Sequence, residues 1–187
     1  MQIGGMSVEM VQSLSARVGE KAPEFFGKAY VKGEFKQIKA SDYRGKWIVL
    51  FFWPEDFTFV CPTEIKAFRE KNIEFEKKNA QVIGCSVDSV HSHKAWVERD
   101  LGVIDFPLIG DMTKAVASMF GIVNKDGLAL RATFIIDPDG VLQSATVNNL
   151  SVGRNVDETL RVLDAFQTGE LCPVNWNKGQ KTLGKDK

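Results

Sequence analysis

An α/β fold, one mixed sheet flanked by helices, is what this 187-residue sequence predicts. Three observations carry that prediction. The run Trp47–Trp53 is apolar at all seven positions, as in a strand covered on both faces. Strand-like and helix-like segments then alternate as far as Phe120. Hairpins flank the alternation on both sides, one centred on Lys32-Gly33 and one on Pro138-Asp139-Gly140.

Taken in order, Ala29–Ile38 reads as the first hairpin and Trp47–Trp53 as a central strand. Pro62 opens a helix reaching about Asn79, with Ile65, Phe68 and Phe75 at helical intervals. Gln81–Val87 is a second strand, His91–Arg99 a helix, Phe106–Ile109 a short strand, and Thr113–Phe120 a helix closed by Gly121. Thr133–Asp137 and Val141–Val147 form the second hairpin. Asn155 then caps a helix with Glu158 at the capping-box position, Val156, Leu160, Leu163 and Phe166 on one face, and Gly169 at its end. No repeat or linker divides the chain, so residues 1–187 are expected to form a single domain, with a mobile arm or short helix over about 1–18 and a solvated tail over about 177–187.

Composition narrows the function. Apolar residues make up 44% and charged residues 26%, which favours a folded chain over a disordered one. Lys plus Arg and Asp plus Glu both number 24, so nothing electrostatic points to nucleic acid or to an anionic membrane. A seven-residue apolar run is far short of the roughly 20 that a membrane span needs. The first twenty residues carry no apolar signal-peptide core, which makes the cytoplasm the expected setting. Three cysteines, Cys61, Cys85 and Cys172, are an odd and widely spaced set, poor as a disulfide framework or metal cluster and better suited to thiol reactivity.

Cys61 stands where the central strand gives way to a helix, inside Pro54-Glu55-Asp56-Phe57-Thr58-Phe59-Val60-Cys61-Pro62-Thr63-Glu64. Unpaired N–H groups and the helix dipole at such an N-terminus favour an anion, and so the thiolate form of a cysteine. An inert buried thiol is the alternative. A second cysteine three residues on would make a local dithiol, but that position is Glu64. Any partner thiol must come from afar, and Cys172, on a loop beside Pro173, suits disulfide exchange unless it is an unpaired surface thiol. Cys85, mid-strand among apolar neighbours, reads as a packed small hydrophobe. His91 and His93 lack a third ligand at metal spacing, and the glycines make no phosphate cradle, so neither metal nor nucleotide cofactor is expected. Trp53, Phe57 and Phe59 read as core residues or as contacts between protomers.

In these residues the sequence resembles the peroxiredoxins, specifically the typical two-cysteine members that serve as the peroxidase component of alkyl hydroperoxide reductase. The resemblance runs from about Gly19 to Leu183. It rests on Pro54, Thr58 and Cys61 in the Pro-x-x-x-Thr-x-x-Cys signature, on His93-Lys94-Ala95-Trp96, on Arg131-Ala132-Thr133-Phe134-Ile135-Ile136-Asp137, and on Val152-Gly153-Arg154-Asn155. It implies an elaborated thioredoxin fold and a cofactor-free thiol peroxidase acting on hydrogen peroxide and organic hydroperoxides. Cys61 would be the attacking thiol, and Cys172 of a partner protomer the resolving one. Pro54 would shield the thiolate, Thr58 would hydrogen-bond the thiolate or the peroxide, Arg131 would place a permanent charge beside both, and Glu64 would orient the arginine. A homodimer that builds a ring of dimers such as a decamer is implied, as is a dithiol reductant of the thioredoxin or dedicated flavoprotein type.

For a thiol in general, lowering the pKa from about 8.5 to about 6 raises the thiolate fraction at pH 7 roughly 30-fold, while nucleophilicity falls about tenfold. The net gain is a few-fold, so fast peroxide reduction must draw on stabilisation of the leaving oxygen. Sensitive family members carry a Gly-Gly-Leu-Gly insertion and a C-terminal Tyr-Phe helix over the reactive turn. Here Asn124–Leu130 lacks the insertion, and the 15 residues after Cys172 contain neither Tyr nor Phe. A redox-sensing or holdase protein is the competing reading, which peroxide turnover with a recycling dithiol separates from an enzyme.

Overall fold

The computed structural model describes residues 16–185 together with a short antiparallel pair, Gln2–Ile3 with Met6–Ser7. The rest of the arm expected over 1–18 lies outside the described residues. Seven strands form one mixed sheet: β1 (Phe26–Val31), β2 (Glu34–Lys39), β3 (Trp47–Phe52), β4 (Ala80–Ser86), β5 (Leu108–Gly110), β6 (Arg131–Ile136) and β7 (Leu142–Asn148), in the spatial order β2-β1-β5-β4-β3-β6-β7. β3, β4 and β5 run parallel, and hairpins add antiparallel pairs at both edges. The helices are α1 (Cys61–Lys77), α2 (Val90–Trp96), α3 (Ala115–Met119) and α4 (Val156–Gln167). Among the described residues no helix is long and apolar enough to cross a membrane.

β3 is apolar throughout because both of its faces are covered. Val49, Phe51 and Trp53 enter a core with Ile65, Phe68 and Phe75 of α1, Trp96 of α2 and Leu160 and Leu163 of α4. Ile48, Leu50 and Phe52 enter the opposite core with Val116 of α3, Phe120 and Phe134. Gly84 of β4 admits the Trp53 ring: a Cβ there would stand 2.8 Å from Trp53 Cζ3 and 2.9 Å from Leu108 Cδ2. The first hairpin turns at Lys32 (φ 49°) and Gly33 (φ 85°), both left-handed, which matches the strand twist.

Four expectations need adjustment. Continuing from α2, the helix expected to reach Arg99 widens into a π turn over Val97–Leu101. The helix expected from Thr113 starts at Ala115: the Asp111 carboxylate accepts the N–H groups of Val116 (3.2 Å) and Ala117 (2.8 Å) in its first turn. Asn155 caps α4 by accepting Glu158 N–H (3.1 Å), but the Glu158 carboxylate turns to Arg161 and leaves the capping box half made. Phe166 is 38% exposed, off the buried face that Val156, Leu160 and Leu163 share.

Candidate active site

The parallel β3 delivers the chain to a seven-residue loop, Pro54–Val60, and straight into α1, whose first residue is Cys61 and second Pro62. No side chain caps this helix, which leaves its N-terminal dipole facing the sulfur. Cys61 is nevertheless 0% exposed. Two donors reach Sγ: Thr58 Oγ1 at 2.8 Å and Arg131 Nη1 at 3.3 Å. Arg131 gets there through sheet register. β6 runs antiparallel to β3 with Thr133 opposite Phe51, so Arg131, two residues earlier, comes alongside the end of β3 where the loop begins.

Arg131 is itself fixed by three bonds. Its Nη1 donates to Glu64 Oε2 (2.7 Å) as well as to Sγ, and its Nε donates to Leu150 O (2.6 Å). Glu64, one helical turn beyond Cys61, also accepts from Arg154 through backbone N–H (3.0 Å) and Nε (2.8 Å). Arg154 ties in the sheet: Nη1 donates to Ala132 O (2.7 Å) and Nη2 to Phe52 O. Burial pulls the Arg154 guanidinium below its usual pKa range, and Glu64 opposes the pull. The side chains of Glu64, Arg131 and Arg154 are all at most 4% exposed, so these ion pairs are buried and completed by backbone carbonyls, the condition under which such pairs hold a geometry.

A second set of bonds fixes the loop from behind. Asp56 accepts Trp53 Nε1 (2.9 Å) and Ser92 Oγ (2.7 Å), and it meets His93 Nδ1 at 2.8 Å. His93 Nε2 faces Ile109 O at 3.0 Å. Both ring nitrogens of His93 are therefore bonded, which fixes the ring between the loop and β5. Asp56 N–H donates to Asp88 Oδ2 (2.9 Å), which Ser86 Oγ also reaches (2.7 Å). Burial, with the Asp56 charge second, raises the Asp88 pKa. Phe57 takes a left-handed φ of 58°, with the Arg99 guanidinium 4.5 Å over its ring.

The loop, α1 and β6 thus bring Thr58, Cys61, Glu64 and Arg131 together, and Pro54 is buried at the start of the same loop. Cys172 is half-buried on the loop after α4, with only long contacts to Ala165 O (3.7 Å) and Thr168 Oγ1 (3.6 Å). Cys85 sits in the core on the other face of the sheet, where burial pushes its thiol well above the ordinary range. His93 is a fully buried bridge in α2, whereas His91 is exposed beside the Phe35 ring. Trp53 is core, while Phe57 and Phe59 are 44% and 96% exposed. Sequence reasoning passed over two organisers, Arg154 and Asp56, although both lie within the runs that carry the family resemblance. Among the described residues no group of three or more His, Cys, Asp or Glu side chains is arranged to hold a metal ion.

Comparison with known proteins gives one answer throughout. The AhpC/TSA family model matches residues 18–145. The chain is 50% identical over 184 residues to a chloroplastic 2-cysteine peroxiredoxin of Chattonella marina var. antiqua, covering 92% of this chain and 94% of that one. It is 49% identical over 178 residues to peroxiredoxin-2 of Bos taurus, covering 90% and 89%. The reduced 2-Cys peroxiredoxin of Plasmodium vivax superposes with a TM-score of 0.86 at 39% identity, covering 88% of this chain and 91% of its own.

Proposed function

The chain belongs to the AhpC/TSA family as a typical 2-Cys peroxiredoxin, a thiol-dependent peroxidase, and from that premise we propose how its residues divide the reaction. The observation that carries the proposal is the convergence of Thr58 Oγ1 and Arg131 Nη1 on a buried Cys61 Sγ at the start of α1. In the first step the Cys61 thiolate attacks one peroxide oxygen, the O–O bond breaks, and the departing oxygen takes a proton to leave as water or an alcohol. Cys61 becomes a sulfenic acid. Thr58 and Arg131 act as donors to the charge that moves from sulfur to the leaving oxygen, and they need little reorganisation because their own bonds already fix them. Pro54 keeps water from the sulfur, and Glu64 positions Arg131.

In the second step the sulfenic acid condenses with the Cys172 thiol of a partner protomer, forming a disulfide and releasing water. A dithiol reductant, of the thioredoxin or dedicated flavoprotein type, then restores both thiols by exchange. The assembly in this reading is a homodimer that builds a ring of dimers. Its setting is a reducing compartment, the cytoplasm, in keeping with widely spaced free thiols.

Peroxide consumption with a recycling dithiol tests the first half. Stoichiometric oxidation without turnover would overturn it. A non-reducing gel of peroxide-treated protein tests the second: a dimer band that Cys172→Ser abolishes supports the inter-chain disulfide, and a monomer that has lost two thiols points to an intramolecular bond.

A further inference from the structure

The loop before Cys61 is gripped from α2 and from the π turn that continues it. Ser92 Oγ donates to Asp56 Oδ2 (2.7 Å), and His93 Nδ1 is bonded to the same oxygen (2.8 Å). One turn further on, the Trp96 ring centroid lies 5.6 Å from that of Phe57, and the Arg99 guanidinium stands over the same ring. His93 Nε2, bonded to Ile109 O (3.0 Å), anchors the grip to β5. Two short links lead from the grip to the sulfur. Thr58 Oγ1, 2.8 Å from Cys61 Sγ, also meets Glu55 O (3.1 Å), and that carbonyl belongs to the Glu55–Asp56 peptide, whose N–H donates to Asp88 Oδ2 (2.9 Å). Between Asp56 and Thr58 stands Phe57 at φ 58°, a left-handed conformation that a bulky residue keeps only where its surroundings impose it. Asp56 and Phe57 therefore determine where Thr58 stands.

We propose that Asp56 and His93 are positioning residues of the peroxide step, clamping the loop so that Thr58 Oγ1 rests on the Cys61 sulfur. The proposal rests on the reading of Cys61 as the attacking thiol. Neither residue touches a reacting atom, and both act through the Glu55–Asp56 peptide and Thr58. Attack on peroxide needs its donors in place, and a displacement of about 1 Å is enough to slow such a step by up to about 10²-fold. The same clamp keeps bulkier reagents away, because Cys61 is 0% exposed behind the loop. Loosening it therefore has opposite effects on two reactions of one sulfur. Oxidation by hydrogen peroxide slows, because Thr58 is no longer held where the leaving oxygen needs a donor. Alkylation by iodoacetamide, in which a C–S bond forms as C–I breaks and iodide departs, needs access and calls on no donor, so it quickens.

The test uses the full-length protein with His93→Leu, which removes both bonds of the ring, and with Ser92→Ala, which removes one bond from a half-buried residue and decides the matter if the first variant does not fold. A thermal melt checks folding. Reduced samples are mixed rapidly with hydrogen peroxide or, separately, with iodoacetamide, and mass spectrometry of the Cys61 peptide gives the two rates. For His93→Leu the expected result is oxidation slower by about tenfold and alkylation faster by about threefold, with smaller changes of the same signs for Ser92→Ala. His93→Asn, which can bond Asp56 from the place of Nδ1, recovers part of both rates. Loss of stability alone does not move the two rates apart. Rates that change in the same direction, or that both stay within about twofold of the parent in every folded variant, overturn the proposal. Peroxide that oxidises Cys85 or Cys172 of the parent before Cys61 overturns instead the underlying assignment of Cys61.

Discussion

Glu64 Oε1 accepts from Arg154 twice, at the backbone N–H (3.0 Å) and at Nε (2.8 Å), while Oε2 accepts from Arg131. One carboxylate thus aligns the arginine that reaches Cys61 with the arginine that grips the sheet. Glu64→Gln keeps the volume and removes the charge from two buried guanidinium groups. It is expected to lower stability by about 3 kcal/mol, the scale for stripping one member from a buried ion-pair network, and to slow peroxide reaction. Urea unfolding and stopped-flow kinetics on the same sample measure both effects.

Arg131→Met leaves the backbone of β6 intact and deletes the donor to Sγ. The rate of reaction with peroxide is expected to fall by about 10² or more, the size of a lost preorganised charge-stabilising group. A rate within about threefold of the parent on a folded variant would make Arg131 a structural residue only.

Cys61→Ser is expected to abolish turnover and Cys85→Ser to retain most of it, because the two thiols lie in cores on opposite faces of the sheet and only Cys61 has Thr58 and Arg131 beside it. Thiol labelling gives an independent check. Cys85 should react with an alkylating reagent only after unfolding, and native labelling of Cys85 would contradict its burial.

Overoxidation should be slow. The 15 residues after Cys172 contain no Tyr or Phe to clamp the Cys61 turn, so condensation is expected to compete well with a second peroxide. After turnover at about 100 micromolar hydrogen peroxide, the Cys61 peptide should be found chiefly as the disulfide. A dominant gain of two oxygens on that peptide would show a turn held shut by other contacts.

Asp88 supplies a pH signature. Its folded pKa is raised by burial and then by the Asp56 charge, so the folded state binds its proton more tightly than the unfolded chain does. A raised carboxyl contributes stability that is fully present below the unfolded value of about 3.9 and is lost as pH rises through the folded value. Asp88→Asn has no such proton to lose and keeps an oxygen for Asp56 N–H. The stability of the variant relative to the parent should therefore increase as pH goes from about 4 to about 7, read as the difference in urea midpoints at the two pH values. A constant difference would remove Asp88 as the titrating group.

Patterns repeated along the chain were legible from sequence. The apolar β3, the spacing of Ile65, Phe68 and Phe75, and the Lys32-Gly33 turn each follow from local rules, and each forms as expected. Cys61 was legible from its place where a strand gives way to a helix, and Thr58 from the family motif that the sequence carries. Bonds across long sequence separations were not. Arg154 meets Glu64 over 90 residues and Phe52 over 102, and no periodicity encodes a pairing set by how α4 returns to the sheet. The backbone bonds of the exposed tail, such as Leu183 to Leu171, were not legible either, because they depend on no side chain.

Three buried ionic side chains surround Cys61: Glu64 with one negative charge, Arg131 and Arg154 with one positive charge each. Their sum is one positive charge, and a thiolate on Cys61 brings the cluster to neutrality. A neutral sulfenic acid takes that balance away and leaves a cation in a place water does not reach. The oxidised site is therefore mismatched with its own surroundings, and opening it to solvent relieves the mismatch. Faster amide hydrogen exchange over Pro54–Val60 in peroxide-treated Cys172→Ser than in the reduced variant would register this. If Cys61 is the reacting thiol, each turnover would then work like a fuse, with the discharge of the sulfur loosening the turn around it.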